Sequence, residues 1–464
     1  MSDGTPECAK GATEIGFGLG RVTRFYVPLL LQAFSQSLSY PLVAGIVTHG
    51  ESGVRALTAF SQGLMIMFMI GSIGAGLVTT GLVFARTWYG YVSFQRLNRI
   101  MMGALLVLQC LPALPPFGEW IFEGFFALPA DLAMLARGTL AMGSVMNAGF
   151  FLRNEPMVVL FNRLQSAKAN NATLARIAVT VVCSFAFPKA GWTGPWWGLA
   201  ALTIGVWVEY AVTWLYARPY VAELPNRPTD KEREAADAMF RPKLTAMTWE
   251  QFRFTLPLAL GGFLLATAPL VIAAFVGRTA NAGEMLTVHY VTIGVANPIA
   301  YAALRMQAVS VKFPPAYPGD RRLLLYAIAA GAVLGAVPFA FSTAAVGEWY
   351  FGTFQNVPSH LVMTARRAIA IYSSIGIIQA VRARIEGIAA VQKRPSAIMV
   401  GQIVYTMSLF FACLLLLPTG CPGWLMALIA IFVAPIGTTL AIYGVLWLAP
   451  NEPRRSDLDG CDSR

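Results

Sequence analysis

Four arginines within apolar runs, where a charge is expensive, are candidates for chemistry: Arg153 in GFFLRNEPMVV, Arg305 in AALRMQAV, and Arg382 and Arg384 in VRARIEGIAAV. A guanidinium stays charged and offers a planar fork of donors that matches carboxylate or phosphate. Ionisable groups at such depth face a bundle interior or a water-filled path, so they mark a route for an anion. Each has a plainer alternative. Arg153 can pair with Glu155, where Pro156 would bend the helix. Arg305 and Arg384 can reach along their stems to the membrane surface. Arg384 and Glu386 are two residues apart, so they point to different sides of a helix.

Gln32, Ser35, Gln36 and Ser39 recur at spacings of three and four, which places them on one helical face. That face lines a cavity or joins helices by hydrogen bonds. Asn147, Asn297 and Tyr301 are further lining candidates, and Pro298 is a candidate bend. Four groups are candidates for coupling transport to protons or other ions: Glu155, Glu209, His289 and Glu386. Glu209 also reads as a hydrogen-bonded carboxyl between helices, and His289 as an interfacial histidine. Catalytic signatures are missing. There is no phosphate-binding GxxxxGK[ST] loop, and His49, His289 and His360 are far apart, so an enzyme is not expected. The six cysteines form no CxxC pair and lie beside no histidine, so neither a metal site nor a disulfide framework is expected, and no cofactor.

The elements that position these residues must be membrane helices. Hydrophobic residues make up 56% of the 464 and charged ones only 12%, with a mean hydropathy of +0.60, too few charges to clothe a water-soluble surface. The first residues are small and polar, so the first span is expected to act as its own insertion signal. Twelve runs are long enough to cross a bilayer. They cover 25–47, 57–84, 100–116, 138–162, 172–187, 196–216, 254–276, 286–311, 323–342, 363–390, 397–417 and 424–448. Only helices satisfy their own backbone in lipid at these lengths, so the fold is all-α.

Lysine and arginine gather at Arg86, Arg96, Arg99, Arg163, Lys168, Arg176, Lys312, Arg321, Arg322, Lys393 and Arg394, while the alternate loops hold few. The positive-inside rule then puts both termini in the cytoplasm of a cell (inner) membrane protein. The net charge of +11 follows from this topology and from lipid contact, with no nucleic-acid partner implied. The most polar stretch, 218–251, reads as a cytoplasmic linker with a short helix near Lys231–Met239. It divides the chain into a six-helix bundle over 1–217 and a second over 252–450, followed by a tail over 451–464.

The two halves share words. RFYVPLLL at 24–31 matches RFTLPLAL at 253–260, an offset of 229, and the register holds from Leu57 against Leu286 to Phe84 against Phe313. Six spans per half make the repeats parallel, related by an axis along the membrane normal, with the cavity expected between them. Arg153 and Arg382 fall in equivalent spans.

VRARIEGIAAVQKR at 381–394, with RFYVPLLL and GLVF at 81–84, resembles the progressive ankylosis (ANK) family of the multidrug/oligosaccharidyl-lipid/polysaccharide (MOP) exporter superfamily. NPIAYAAL at 297–304 is similar to that family's eighth span. The resemblance implies a MATE-like transporter with two bundles working by alternating access. It also implies a polyvalent anion as substrate, of the pyrophosphate, citrate or nucleotide class. The long acidic tail of animal members has no counterpart after Pro450. Rival readings are a flippase for a lipid-linked saccharide, a multidrug exporter with a carboxylate-lined cavity, and a non-transporting scaffold or receptor.

Overall fold

The computed structural model describes residues 18–50, 53–125, 128–227, 230–313, 321–355 and 357–448, and these contain helices and short connections with no strand. The opening residues and the 451–464 tail lie outside them. The first half comprises α1 (Leu19–Thr48), α2 (Gly53–Gly71), α3 (Gly76–Phe84), α4 (Trp88–Cys110), α5 (Ala130–Asn162), α6 (Ser166–Lys189) and α7 (Pro195–Ala222). The second comprises α8 (Asp230–Val276), α9 (Ala282–Leu304), α10 (Met306–Lys312), α11 (Arg321–Ala340), α12 (Ser359–Tyr372), α13 (Ile375–Val391), α14 (Pro395–Leu416) and α15 (Gly423–Leu448). Three spans are broken in their course: α2 and α3 meet through the turn Ser72–Ala75, α9 and α10 at Arg305, and α12 and α13 at Ser373 and Ser374.

Among the described residues, eight helices are long and apolar enough to cross a membrane, or nine when the bent pair Trp88–Ala113 and Pro115–Gly124 is one span. The long helical segments outside that set are α1, α5 and α9 with α10. These carry Gln32, Arg153 and Arg305. Helices within that set carry buried charges too, Arg176 on α6 and Glu209 on α7.

Helix starts depart from the apolar runs. α8 begins at Asp230 and continues unbroken to Val276, so most of the expected linker is helix. Its opening DKEREAADAM is built of strong helix formers, which extend a helix without an apolar face. The side chains over 231–243 lie outside the described ones. α4 begins at Trp88, capped by the Thr87 hydroxyl accepting from Gly90 N at 3.3 Å, and α6 begins at Ser166.

The repeat appears as geometry. Phe25 meets Phe313 edge to face at 5.7 Å, and Phe84 meets Phe254 edge to face at 5.3 Å. Phe254 is Phe25 moved on by the repeat offset, and Phe313 is Phe84 moved on by the same step. Each residue touches the other's copy, the signature of a two-fold relation. A second pair of copies lies far from this contact. GEWIFEGF at 118–125 and GEWYFGTF at 347–354 both form a π-helical elbow, again at the repeat offset. Arg137 Nε donates to Ala113 O at 3.4 Å and Arg366 Nε donates to Ser342 O at 3.1 Å. The same arginines reach Glu119 at 3.7 Å and Glu348 at 3.0 Å.

Packing joins the halves at one end. One core unites Phe25, Tyr26 and Phe161 with Met306, Phe313 and Ile388. Cross-half hydrogen bonds there link Thr80 to Thr255 at 2.7 Å, Ser93 to Thr248 at 3.1 Å, and Lys312 to Asn162. This is the end that bears the connections at 85–87, 163–165 and 392–394. Two further cores extend toward the other end, each mainly within one half: around Phe60, Met67 and Leu140 in the first, joined by Ala259 of the second half, and around Ile369, Tyr372 and Cys413 in the second.

Candidate functional site

A cavity of about 590 Å³ lies among α2, α3, α5, α6 and α7, with α9 and α10 of the second half against it. Three arginines line it: Arg153, Arg176 and Arg305. Arg153 Nη1 donates to Glu209 Oε2 at 2.8 Å, and Arg176 Nη1 donates to the same oxygen at 3.2 Å. The Thr173 hydroxyl donates to Glu209 Oε1, and Gln32 Nε2 donates to Thr173 Oγ1 at 3.1 Å. Glu209 is 1% exposed, Arg153 8% and Arg176 4%, so desolvation is nearly complete for all three. The pairing does not exhaust the donors. Arg153 Nε and both Nε and Nη2 of Arg176 are buried with no hydrogen-bond partner in the protein. The Arg153 guanidinium also lies over the Phe150 ring, 4.9 Å from its centroid.

Arg305 occupies the break between α9 and α10, where its amide donates to Ala302 O at 3.1 Å and its carbonyl accepts from Ala308 N at 3.1 Å. It lies within electrostatic range of Arg153 and Glu209. The cavity is thus lined by three guanidiniums with one carboxylate among them, an excess of positive charge in a water-poor space. An anion that accepted the remaining donors would relieve both the unmade hydrogen bonds and the like-charge crowding.

Several expected residues sit elsewhere. Glu155 is not the partner of Arg153. It accepts two hydrogen bonds from Arg99, both at 3.1 Å, one from Asn98 at 3.2 Å and one from Gln95 at 2.9 Å, which ties α4 to α5. Two positions along a helix point about 200° apart, so Arg153 and Glu155 serve opposite faces. Arg382 does not line this cavity. Its Nε donates to Glu386 at 2.9 Å, Nη2 to Gln402 at 3.0 Å and Nη1 to Gln379 at 3.3 Å, and its guanidinium lies 4.9 Å from the Tyr405 ring centroid. Glu386 also accepts from Gln402 at 2.9 Å. The second half's arginine on the cavity is Arg305 instead.

Arg384 is buried off the cavity, away from the surface its stem was expected to reach. Asn297 is exposed on α9 and does not line the cavity, whereas Tyr301, one turn on, does. Asn147 lines it too, with its amide donating to Gln109 Oε1 at 2.6 Å and Met67 O at 3.5 Å. Gln32 supports the Glu209 network from behind. His289 is buried beside Tyr290, ring centroids 5.4 Å apart. The side chains of residues 35–41, hence Ser35, Gln36 and Ser39, lie outside the described ones.

Arg176 is the residue that sequence reasoning missed. Grouped with the cytoplasmic loop charges, it lies only about one turn inside the run that starts at 172, but α6 starts at Ser166 and carries it almost three turns inward. The signal was present: no helix breaker separates SAKANNATLAR from the apolar run that follows.

Comparison with solved structures identifies the fold. The chain is similar to a eukaryotic MATE transporter, AtDTX14, with a TM-score of 0.66 and 16% identity over 93% of this chain and 96% of that one. It is similar to an outward-facing multidrug resistance MATE family transporter of the MOP superfamily, with a TM-score of 0.68 and 17% identity over 92% of this chain and 94% of that one. A MOP superfamily transporter from Pyrococcus furiosus, described as having a binding pocket of reverse polarity that suggests a different function, matches with a TM-score of 0.65 and 17% identity over 92% and 94%. No protein-family model matches the chain, and no curated protein matches it. The chain therefore has the all-helical, multi-span membrane fold seen in MATE transporters.

Proposed function

We propose that this chain is a secondary transporter of organic or phosphate-bearing anions, working by alternating access in a cell (inner) membrane with both termini cytoplasmic. One observation carries the reading: Arg153, Arg176 and Arg305 line a cavity, with Glu209 as the one carboxylate paired to Arg153 and Arg176. A site for organic cations would need the opposite balance. The reverse pocket polarity described for the Pyrococcus furiosus transporter supports the same direction of departure within this fold. The resemblance to the ANK family supports anions of the pyrophosphate, citrate or nucleotide class. Glu209 is the carboxylate that competes with a bound anion for Arg153 and Arg176, so it is the proposed point of coupling to protons or other ions.

The two halves are joined at the end read as cytoplasmic and carry mainly separate cores toward the other, which supports an outward-open arrangement. The test is uptake of labelled citrate, pyrophosphate and ATP into liposomes containing the purified protein, beside Arg305→Gln. Saturable uptake of an anion, lost in the variant, supports the reading. Uptake of organic cations with none of anions would sink it.

A further inference from the structure

The cavity carries its charge as a band within a mainly apolar lining. On α5 the lining residues run from Met146 and Phe150 through Arg153 to Phe161, and on α2 and α3 from Leu64 and Phe68 to Leu82. Arg153 is seven residues past Met146, so about 10 Å along the helix axis separates the apolar mouth of this stripe from the charge. Leu202 and Val206 on α7 lie outward of Glu209 in the same sense. The arginines therefore sit midway along the cavity, with Met146, Phe150 and Phe68 outward of them and Leu82 and Phe161 toward the joint between the halves.

Three polar groups of the outer part are already engaged. Both amide hydrogens of Asn147 go to Gln109 Oε1 and Met67 O. The Thr180 hydroxyl donates to Arg176 O at 2.9 Å, and the Ser72 hydroxyl to Met69 O at 2.6 Å. The buried donors left without partners around this cavity belong to Arg153 and Arg176. Phe68, by contrast, lines the cavity while 51% exposed.

We infer that the site takes amphipathic organic anions, with one carboxylate, phosphate or sulfonate head on the arginines and an aromatic or aliphatic body along Phe68, Phe150 and Met146. This rests on the anion reading above and narrows it. A small polyanion such as citrate presents oxygens on every side. Those turned toward Phe68, Phe150 and Met146 would lose their water to apolar side chains, and each such loss weakens binding. The volume of about 590 Å³ suits a drug-sized ligand, for which pockets span roughly 300–1,000 Å³.

The experiment uses full-length protein in lipid nanodiscs, with calorimetric titration of four probes and protein-free nanodiscs subtracted. The probes are naphthalene-2-carboxylate, citrate, 2-naphthylmethanol and 2-naphthylmethylammonium. Naphthalene-2-carboxylate binds about tenfold tighter than citrate or more, since burying one aromatic body contributes that much. Phe68→Ser weakens the aryl carboxylate about tenfold and leaves citrate unchanged, Phe68→Leu restores most of the loss, and Arg305→Gln weakens both anions alike. Citrate binding as tightly as the aryl carboxylate, or Phe68→Ser weakening both equally, overturns the inference and leaves the anion transporter standing. The naphthyl alcohol binding as tightly as the carboxylate also overturns it. The ammonium probe binding tightest overturns the inference and the proposed function together.

Discussion

Arg153 and Arg176, on neighbouring helices, donate to the same oxygen of Glu209 at 2.8 and 3.2 Å. Two cations sharing one carboxylate oxygen is not a balanced ion pair. Each keeps donors that nothing in the protein accepts, and each raises the cost of burying the other. The equivalent arginine of the second half is differently served. Arg382, the copy of Arg153 at the repeat offset, has Glu386 on its own helix and two glutamines around it. Positions 176 and 209 recur as Tyr405 and Thr438, so the shared-carboxylate arrangement belongs to one half only. A duplicated fold has thus kept its frame and specialised one bundle for charge.

Removing the shared carboxylate should be the most damaging single change in the site. Glu209→Leu leaves two buried guanidiniums without a counter-charge, and loss of one partner of a buried pair costs about 3–5 kcal/mol. Thermal unfolding in detergent reads this as a large drop in midpoint. Adding Arg176→Leu to the same chain should recover part of the loss, because it removes one uncompensated charge. No recovery in the double variant would show that the two arginines do not compete for Glu209.

Glu155, although buried, should prove dispensable for transport. Its carboxylate is held by Arg99, Asn98 and Gln95 and faces away from the cavity. Arg99 is largely exposed, so solvent discounts the pair, and Arg99→Gln should cost only about 1 kcal/mol. Glu155→Gln should keep anion uptake and its dependence on the proton gradient. A variant that transports but no longer responds to the gradient would move the coupling role from Glu209 to Glu155.

How much of this was legible beforehand differs between frame and site. The all-helical class, the multi-span membrane character and the constant offset between the halves follow from hydropathy and from short repeated words, because lipid permits few alternatives. The elbow copies GEWIFEGF and GEWYFGTF carry the same offset and were readable too. Side-chain partners were not. Arg153 has Glu155 two residues away and Glu209 fifty-six away, and only tertiary packing selects the distant one. Arg176 stands only about one turn inside its apolar run and so groups with the loop charges, whereas its helix starts well before that run. The break at Arg305, rather than at Pro298, likewise depends on how α9 and α10 meet the first half.

Close backbone contact between α11 and α13 depends on glycine. A Cβ at Gly335 would lie 2.2 Å from Ser373 O, and one at Gly331 would lie 2.5 Å from Ile377 Cα. Backbone atoms cannot step aside as a flexible side chain can. Gly335→Ala should therefore cost about 1–3 kcal/mol, the range for overpacking. The lowered unfolding midpoint should appear with anion binding unchanged, since neither residue lines the cavity.

Alternating access requires the joined end of the two halves to open, and Thr80 and Thr255 offer a place to prevent it. Their hydroxyls are 2.7 Å apart across the halves and both residues are buried. Oxygens that close suit a disulfide once both are cysteine, because bridged Cβ atoms stand about 3.5–4.5 Å apart. The background needs its six native cysteines replaced. In Thr80→Cys/Thr255→Cys, oxidation should form the bridge and abolish uptake while leaving binding from the opposite side intact, and reductant should restore uptake. A chain fully cross-linked here that still transports would mean that substrate passes without the halves parting at this end. The two-bundle rocking cycle would then have to be abandoned for movement within a single bundle.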